Sequence, residues 1–390
     1  MKPESTSKPA YQESAGLVET NRVTFQGDNF ILKLESGKTL SPVTVAYETY
    51  GQLSRDRDNA VLVCHALTGD AHAAGRHTHD PKEKPGWWDM LIGPGKPLDT
   101  RRYFVICSNF LGGCKGTTGP AEINPATGKP YGLHFPFYTV KDMVKVQKWL
   151  LDHLGVKRLL AVIGGSLGGM QVLQWAITFP EMVVGALPIA TTARMSPQAI
   201  AFNEVARQAI MSDPQWNFGL YQPEHQPASG LALARMIGHI TYLSQEAMLR
   251  KFSRRFINGS QRGYKLEADF QVESYLHHQG STFVNRFDAN TYLYITRAMD
   301  YFDLPSDYGN LEKAFSHCQC SFLVISFTSD WLFPPSCSQE LVKALRTAGK
   351  NVSYCNIGSD QGHDAFLLPG NRMGEVISGF LTRLENEVNL

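Results

Sequence analysis

The sequence predicts an α/β fold, a mostly parallel sheet with helices on both faces, interrupted by one large helical insertion. Three observations lead there. Six short apolar runs, at 60–64, 103–107, 159–163, 184–189, 322–327 and 352–357, lack clean polar alternation and read as strands covered on both faces. Glycine-rich turns and segments of helical periodicity separate them. From about Thr192 to about Leu311 the pattern becomes helical and polar-aromatic, without a buried-strand run. About 120 residues is too long for a loop in a compact domain, so this stretch should form a cap or lid over the sheet.

In chain order, residues 1–20 begin MKPESTSKPAYQES, polar and proline-bearing without the apolar stretch of a signal peptide, and read as a disordered lead-in. Residues 21–191 form the first part of the core. Within them, 23–50 alternates and turns at Ser36-Gly37, as antiparallel strands opening the sheet would. Val140, Met143, Val144, Val146, Leu150 and Leu151 recur at helical spacing. A helical pattern at Met170, Leu173, Ala176 and Ile177 stops at Pro180. The insertion is assigned to 192–311 and the second part of the core to 312–390, which ends in an amphipathic face at Met373, Val376, Ile377, Phe380, Leu381 and Leu384.

Composition narrows the function. With 37 basic and 36 acidic side chains the net charge is +1, which gives no electrostatic case for nucleic acid or an anionic membrane as partner. Apolar runs are strand-sized, far short of the roughly 20 residues that span a bilayer. Seven scattered cysteines, an odd number, fit reduced thiols in a cytoplasm. Cys318-Gln-Cys320 has no second pair at zinc-site spacing and reads as structural.

The sharpest chemical signal is Gly164-Gly165-Ser166-Leu167-Gly168-Gly169, between a predicted strand and a predicted helix. G-x-S-x-G arises by chance in roughly one chain in ten of this length, so the context carries the weight. A turn this tight needs small neighbours and projects the serine hydroxyl into a site, while the Leu167 amide, opening a helix, points at any oxyanion formed there. A serine hydroxyl is a weak nucleophile and needs a histidine base held by a carboxylate, which on such a sheet follow in the order Ser, Asp or Glu, His. Asp330 leaves the strand run at 322–327, and His363 follows the run at 352–357. Six histidines precede Ser166, and the remaining five follow no strand. His65, His72, His77 and His79 lack a carboxylate or cysteine at familiar spacing, so they read as loop polarity and no metal is assigned. Leu67, just past the strand at 60–64, is the candidate for the second oxyanion amide.

With these residues in place the chain resembles the homoserine O-acetyltransferases, which have the α/β-hydrolase fold and act in methionine biosynthesis. The resemblance runs nearly end to end, through Ala46-Tyr-Glu-Thr-Tyr-Gly51, Lys84-Pro-Gly-Trp-Trp-Asp89, Gly112-Gly-Cys-Lys-Gly-Thr-Thr-Gly-Pro120, the turn at Ser166, Ser329-Asp-Trp331 and Gly362-His-Asp-Ala-Phe-Leu367. It implies Ser166 as nucleophile, His363 as base and Asp330 as orienting acid, with Arg235, Asp364 and Tyr242 as substrate contacts. It further implies acetyl-CoA as cosubstrate with no bound cofactor, and a homodimer. The residue types suit homoserine, whose carboxylate a guanidinium grips and whose ammonium a carboxylate accepts.

Three function classes compete. Acetyl transfer to homoserine through an acyl-serine and a ping-pong route is the first; an ordinary serine hydrolase or esterase shares the triad; a non-catalytic binding protein would lack a triad member, and none is missing. Succinyl transfer to homoserine or serine is the variant on the first. A succinyl carboxylate would need a cation near the acyl tail, where the succinyl-using relatives carry arginine directly after the Asp-Trp of the acid loop; here that position is Leu332, followed by Phe333, Pro334 and Pro335.

Overall fold

The computed structural model describes residues 14–259, 262–368 and 372–388. Its strands are β1 (Asn21–Phe25), β2 (Leu32–Lys33), β3 (Thr39–Leu40), β4 (Val43–Tyr50), β5 (Ala60–Cys64), β6 (Phe104–Ser108), β7 (Ile123–Asn124), β8 (Lys129–Pro130), β9 (Leu159–Gly165), β10 (Val183–Ile189), β11 (Ser321–Phe327) and β12 (Val352–Ile357). The helices are α1 (Val140–His153), α2 (Leu167–Thr178), α3 (Pro197–Met211), α4 (Ala228–Tyr242), α5 (Gln245–Phe252), α6 (Gln271–Val284), α7 (Ala289–Asp300), α8 (Leu304–Tyr308), α9 (Leu311–Phe315), α10 (Pro335–Thr347) and α11 (Met373–Val388).

Eight strands form one sheet in the order β1-β4-β6-β5-β9-β10-β11-β12. The pairs β1–β4 and β4–β6 are antiparallel, and every pairing from β6 to β12 is parallel. Antiparallel strands therefore do open the sheet, but the turn at Ser36-Gly37 belongs to a separate pair, β2–β3, that stays outside it.

Strands β5, β9 and β11 are buried along their whole length. The reason is visible in β5: Leu62 and Cys64 belong to the apolar cluster that includes α1 and α2, whereas Val61 and Val63 belong to the one that includes α11. Both faces of the pleat are covered, which removes the alternation a one-sided sheet would show. β12 departs from the expected burial on both faces, since only its last residue, Ile357, is buried. It is the edge of the sheet, with β11 as its one neighbour.

Between β10 and β11 the described residues form helices and isolated bridges without a named strand. Helices α3, α4, α6 and α7 pack on one another, and the chain rejoins the sheet's own helical layer at α9, against α2 and α10. At the N-terminus the expectation of a loose lead-in through residue 20 is corrected where the structure describes it; residues 1–13 lie outside the described residues. The Val18 amide donates to the Arg76 carbonyl, and the Thr20 hydroxyl donates to Glu48, so 14–20 is pinned onto the core. All seven cysteines are free, and Cys318 donates to the Ala176 carbonyl inside the protein. Among the described residues no helix is long and apolar enough to cross a membrane.

Candidate active site

Ser166 occupies the turn between β9 and α2 at φ 59° and ψ −122°, a conformation that non-glycine residues rarely adopt. The surroundings over-determine it. The Ser166 amide donates to the Ile189 carbonyl and the Thr191 hydroxyl donates to the Ser166 carbonyl, tying the turn to β10 and the residues after it. A Cβ on Gly168 would stand 2.1 Å from the Cys64 carbonyl oxygen, and one on Gly165 2.4 Å from the Phe366 ring. The glycines are there because strand, helix and the histidine loop close in on them.

Asp330 and His363 come from the C-terminal ends of β11 and β12, where open α/β sheets place their sites. The Asp330 carboxylate accepts the Leu332 and Phe333 amides through Oδ1, at 3.0 and 2.9 Å, and His363 Nδ1 through Oδ2 at 2.8 Å. That bond orients the imidazole and leaves Nε2 for the cavity. Burial depresses the His363 pKa, but the charge and hydrogen bond of Asp330 outweigh it, and the net shift is upward.

Ser166, His363, Leu67, Arg235, Tyr242, Asp364 and Leu332 all line one cavity of about 120 Å³. Asp330 stands behind His363, and Leu167 opens α2 beside Ser166. The sequence therefore named residues that the fold does bring together. Neither the Leu67 nor the Leu167 amide donates to a backbone or side-chain acceptor among the described hydrogen bonds, so both remain available to an oxyanion. The lining combines apolar side chains, among them Met195, Ala199, Phe202, Leu332 and Phe333, with the polar Thr68, Arg235, Tyr242 and Asp364. Arg235 of α4 stacks on Phe283 and Tyr242 and donates a long bond, 3.4 Å, to the Thr68 hydroxyl, while its Nε is buried without a partner. Burial raises the Asp364 pKa, His363 and Arg235 oppose that, and the net shift is upward.

A wider open groove of about 860 Å³ lies on the other side of Asp330, lined by residues such as Leu243, Ser244, Met248 and Trp331. It reaches neither Ser166 nor His363, so the chemistry belongs to the smaller cavity.

Sequence reading missed Thr68, Asn203, Tyr292 and Arg286. Asn203 and Tyr292 line the cavity from helices whose spacing says nothing about which side chain faces it, and Arg286, in the short link before α7, reaches the Thr68 carbonyl from outside the lining. It also erred on the histidines after β5. His65 is buried, stacked on Phe110 at 4.2 Å, and burial pushes its pKa down. His72 and His77 are joined by a carboxylate after all, Glu48 of β4, fully buried and 24 and 29 residues upstream of them. Their donor atoms and a Glu48 oxygen lie within 4.8 Å of one another, a spacing compatible with a cation. The carboxylate already accepts four protein donors, Thr20, Tyr50, His72 and His77. Burial alone would raise its pKa, yet these four bonds hold it down at about 2. The expectation of mere loop polarity is thus replaced by a buried carboxylate that fastens the N-terminal segment and the loop after β5 to the sheet.

A family described as alpha/beta hydrolase fold matches residues 59–369. The homoserine O-acetyltransferase of Methanohalobium evestigatum is 57% identical over 370 residues, covering 95% of this chain and 74% of that protein. The one from Desulfotalea psychrophila is 56% identical over 372 residues, covering 95% of each. Among solved structures, homoserine O-acetyltransferase from Bacillus anthracis superposes with a TM-score of 0.85 at 32% identity, over 94% of this chain and 98% of that one. Esterase E22 reaches the same TM-score at 30% identity, over 94% of this chain and all of its own.

Proposed function

Because the chain belongs to the homoserine O-acetyltransferases of the α/β-hydrolase fold and so acetylates homoserine, we propose that it does this in two steps through an acyl-Ser166, with acetyl-CoA as donor. One observation carries the reading: a single cavity holds the hydroxyl of a strained serine, a carboxylate-backed imidazole, and a guanidinium and a carboxylate that take part in no ion pair among the described residues. His363 Nε2 takes the Ser166 proton as Oγ attacks the thioester carbonyl, and the Leu67 and Leu167 amides meet the oxyanion. Collapse expels the thiolate of CoA, which receives that proton. The homoserine hydroxyl then gives its proton to His363 and attacks the acyl carbon, and the second collapse returns oxygen and proton to Ser166. Arg235 grips the homoserine carboxylate and Asp364 its ammonium, with the Tyr242 ring beside the Arg235 guanidinium in the same cavity.

Arg235→Leu should raise the homoserine KM roughly tenfold to a hundredfold, the size of one charge-assisted hydrogen-bonded contact, while acylation of Ser166 by acetyl-CoA stays close to the parent rate. Equal losses in the two half-reactions would remove Arg235 from the acceptor site. The competing reading, simple ester hydrolysis, is favoured by the likeness to esterase E22. Free CoA released with and without homoserine separates the two: release that ignores homoserine means water is the acceptor.

The donor follows from the apolar part of the lining. Leu332, directly after Asp330-Trp331, lines the cavity with Met195, Phe202 and Phe333, and the one cation among the lining residues, Arg235, is assigned to the acceptor carboxylate, so a succinyl carboxylate would be buried without a cation of its own. Acetyl-CoA should exceed succinyl-CoA by at least about a hundredfold in kcat/KM. Comparable values would show that a cation such as Arg235 reaches the acyl tail.

We further place the activity in methionine biosynthesis and in the cytoplasm, where seven free thiols stay reduced. The protein is proposed to be a homodimer, for which the exposed Leu233 and Ile240 of α4 and Leu249 of α5 offer apolar surface. A solution mass of one chain would remove the dimer.

A further inference from the structure

The turn after β5, residues 65–70, is tied down unevenly. His65 is held through its carbonyl by Gln171 and through its ring by the Phe110 amide, the Ala66 carbonyl accepts from the Gly69 amide, and the Asp70 carbonyl accepts from the Trp87 indole. Leu67 and Thr68, the crest of the turn, have among the described hydrogen bonds only two anchors, and both are guanidiniums. Arg235 reaches the Thr68 hydroxyl at 3.4 Å, and Arg286 Nη1 donates to the Thr68 carbonyl at 3.0 Å from 218 residues away. Both guanidiniums stack on the same ring, Phe283, at 4.8 and 5.1 Å, which fixes where Arg286 can reach. Arg286 does not line the cavity, and it forms no ion pair among the described residues.

From this we infer that Arg286 is a positioning residue: by holding the Thr68 carbonyl it fixes the Thr68–Gly69 peptide, whose Gly69 amide donates to the Ala66 carbonyl of the planar peptide that carries the Leu67 N–H, and so it aims half of the oxyanion site. The inference rests on the acyl-Ser166 reading above. Its physical content is that the amide comes from the sheet while its strut comes from the short link between α6 and α7. The oxyanion site is then complete only when the helices between β10 and β11 are seated. Arg235 meets the same residue from the acceptor side, so an acceptor carboxylate that draws Arg235 off the Thr68 hydroxyl leaves Arg286 as the anchor that keeps Leu67 in place for the second step.

The test is acylation of Ser166 by p-nitrophenyl acetate without homoserine, followed as the burst of nitrophenol and by intact-protein mass, in the parent and in Arg286→Ala, Arg286→Gln and Arg286→Lys. The saturating acylation rate should fall roughly tenfold to a hundredfold in the alanine variant, the range for a displaced rather than deleted oxyanion donor. Lysine keeps a cationic donor and should recover most of that loss, with glutamine in between, while the homoserine KM in full turnover changes less than about threefold. Parent-like acylation in Arg286→Ala would overturn the inference. So would a loss confined to homoserine KM, which makes Arg286 an acceptor ligand, and so would losses in all three variants that merely follow a lowered unfolding temperature. A parent that forms no acyl-Ser166 would overturn the acyl-enzyme reading, and this inference with it.

Discussion

Ser166→Ala should abolish the acyl-enzyme and lower acetyl transfer by about four orders of magnitude or more. The size follows from what the cavity contains. Removing the nucleophile of a triad leaves only what the oxyanion amides and substrate binding contribute, and the triad members act as a unit. Neither threonine that lines the cavity has a comparable setting: the Thr68 hydroxyl accepts from Arg235, and the Thr241 hydroxyl donates to the Gly238 carbonyl. Intact-protein mass after acetyl-CoA should show one added acetyl group in the parent and none in the variant. The fold should survive, because the bonds that fix the turn run through the Ser166 backbone, which alanine retains. Alanine at this positive φ meets the same steric cost that serine already bears. An acetyl group on the alanine variant, or on another residue of the parent, would remove Ser166 from the mechanism.

Asp330→Asn should cost about 10⁴ in kcat, through the proton on His363 rather than through packing. Oδ1 of Asp330 accepts two backbone amides, so the asparagine oxygen will take that side and turn its NH₂ toward His363 Nδ1. A donor facing Nδ1 forces the imidazole proton onto Nε2, and the side of the ring that should accept the serine proton then carries one already. The same substitution makes a signed prediction in pH. In the parent His363 titrates above its ordinary value because Asp330 outweighs burial, so donor kcat/KM should be present at high pH and disappear as pH falls through that raised value. Without the carboxylate, burial, the largest influence on the ring, is opposed only by the smaller effect of the Asp364 charge, so the residual activity should lose its acid limb at lower pH than the parent does. An acid limb that stays where it was would show that another group titrates.

The sequence by itself determined the strands, their parallel arrangement and the three residues proposed as the triad. Each of these is local. A strand buried on both faces has to be apolar throughout, and a serine held at positive φ between strand and helix has to have glycines around it. The ends of β11 and β12 place Asp330 and His363 by order alone, since a parallel sheet puts all such ends on one side. Arg235, Asp364 and Tyr242 were legible only through likeness to a known family, because a helical or loop position of ordinary composition does not state what it faces. Tertiary structure alone decided the rest. Glu48 looked like a polar residue in a strand until the loop after β5 laid His72 and His77 on it. Thr68 and Arg286 meet across 218 residues, and nothing within either segment specifies the other. The edge position of β12 likewise depends on which strands come to lie beside it. The physical reason is one of range: backbone propensity and hydrophobic period act within one element, whereas the partner of a buried charge is chosen by how the packed elements bring distant surfaces together.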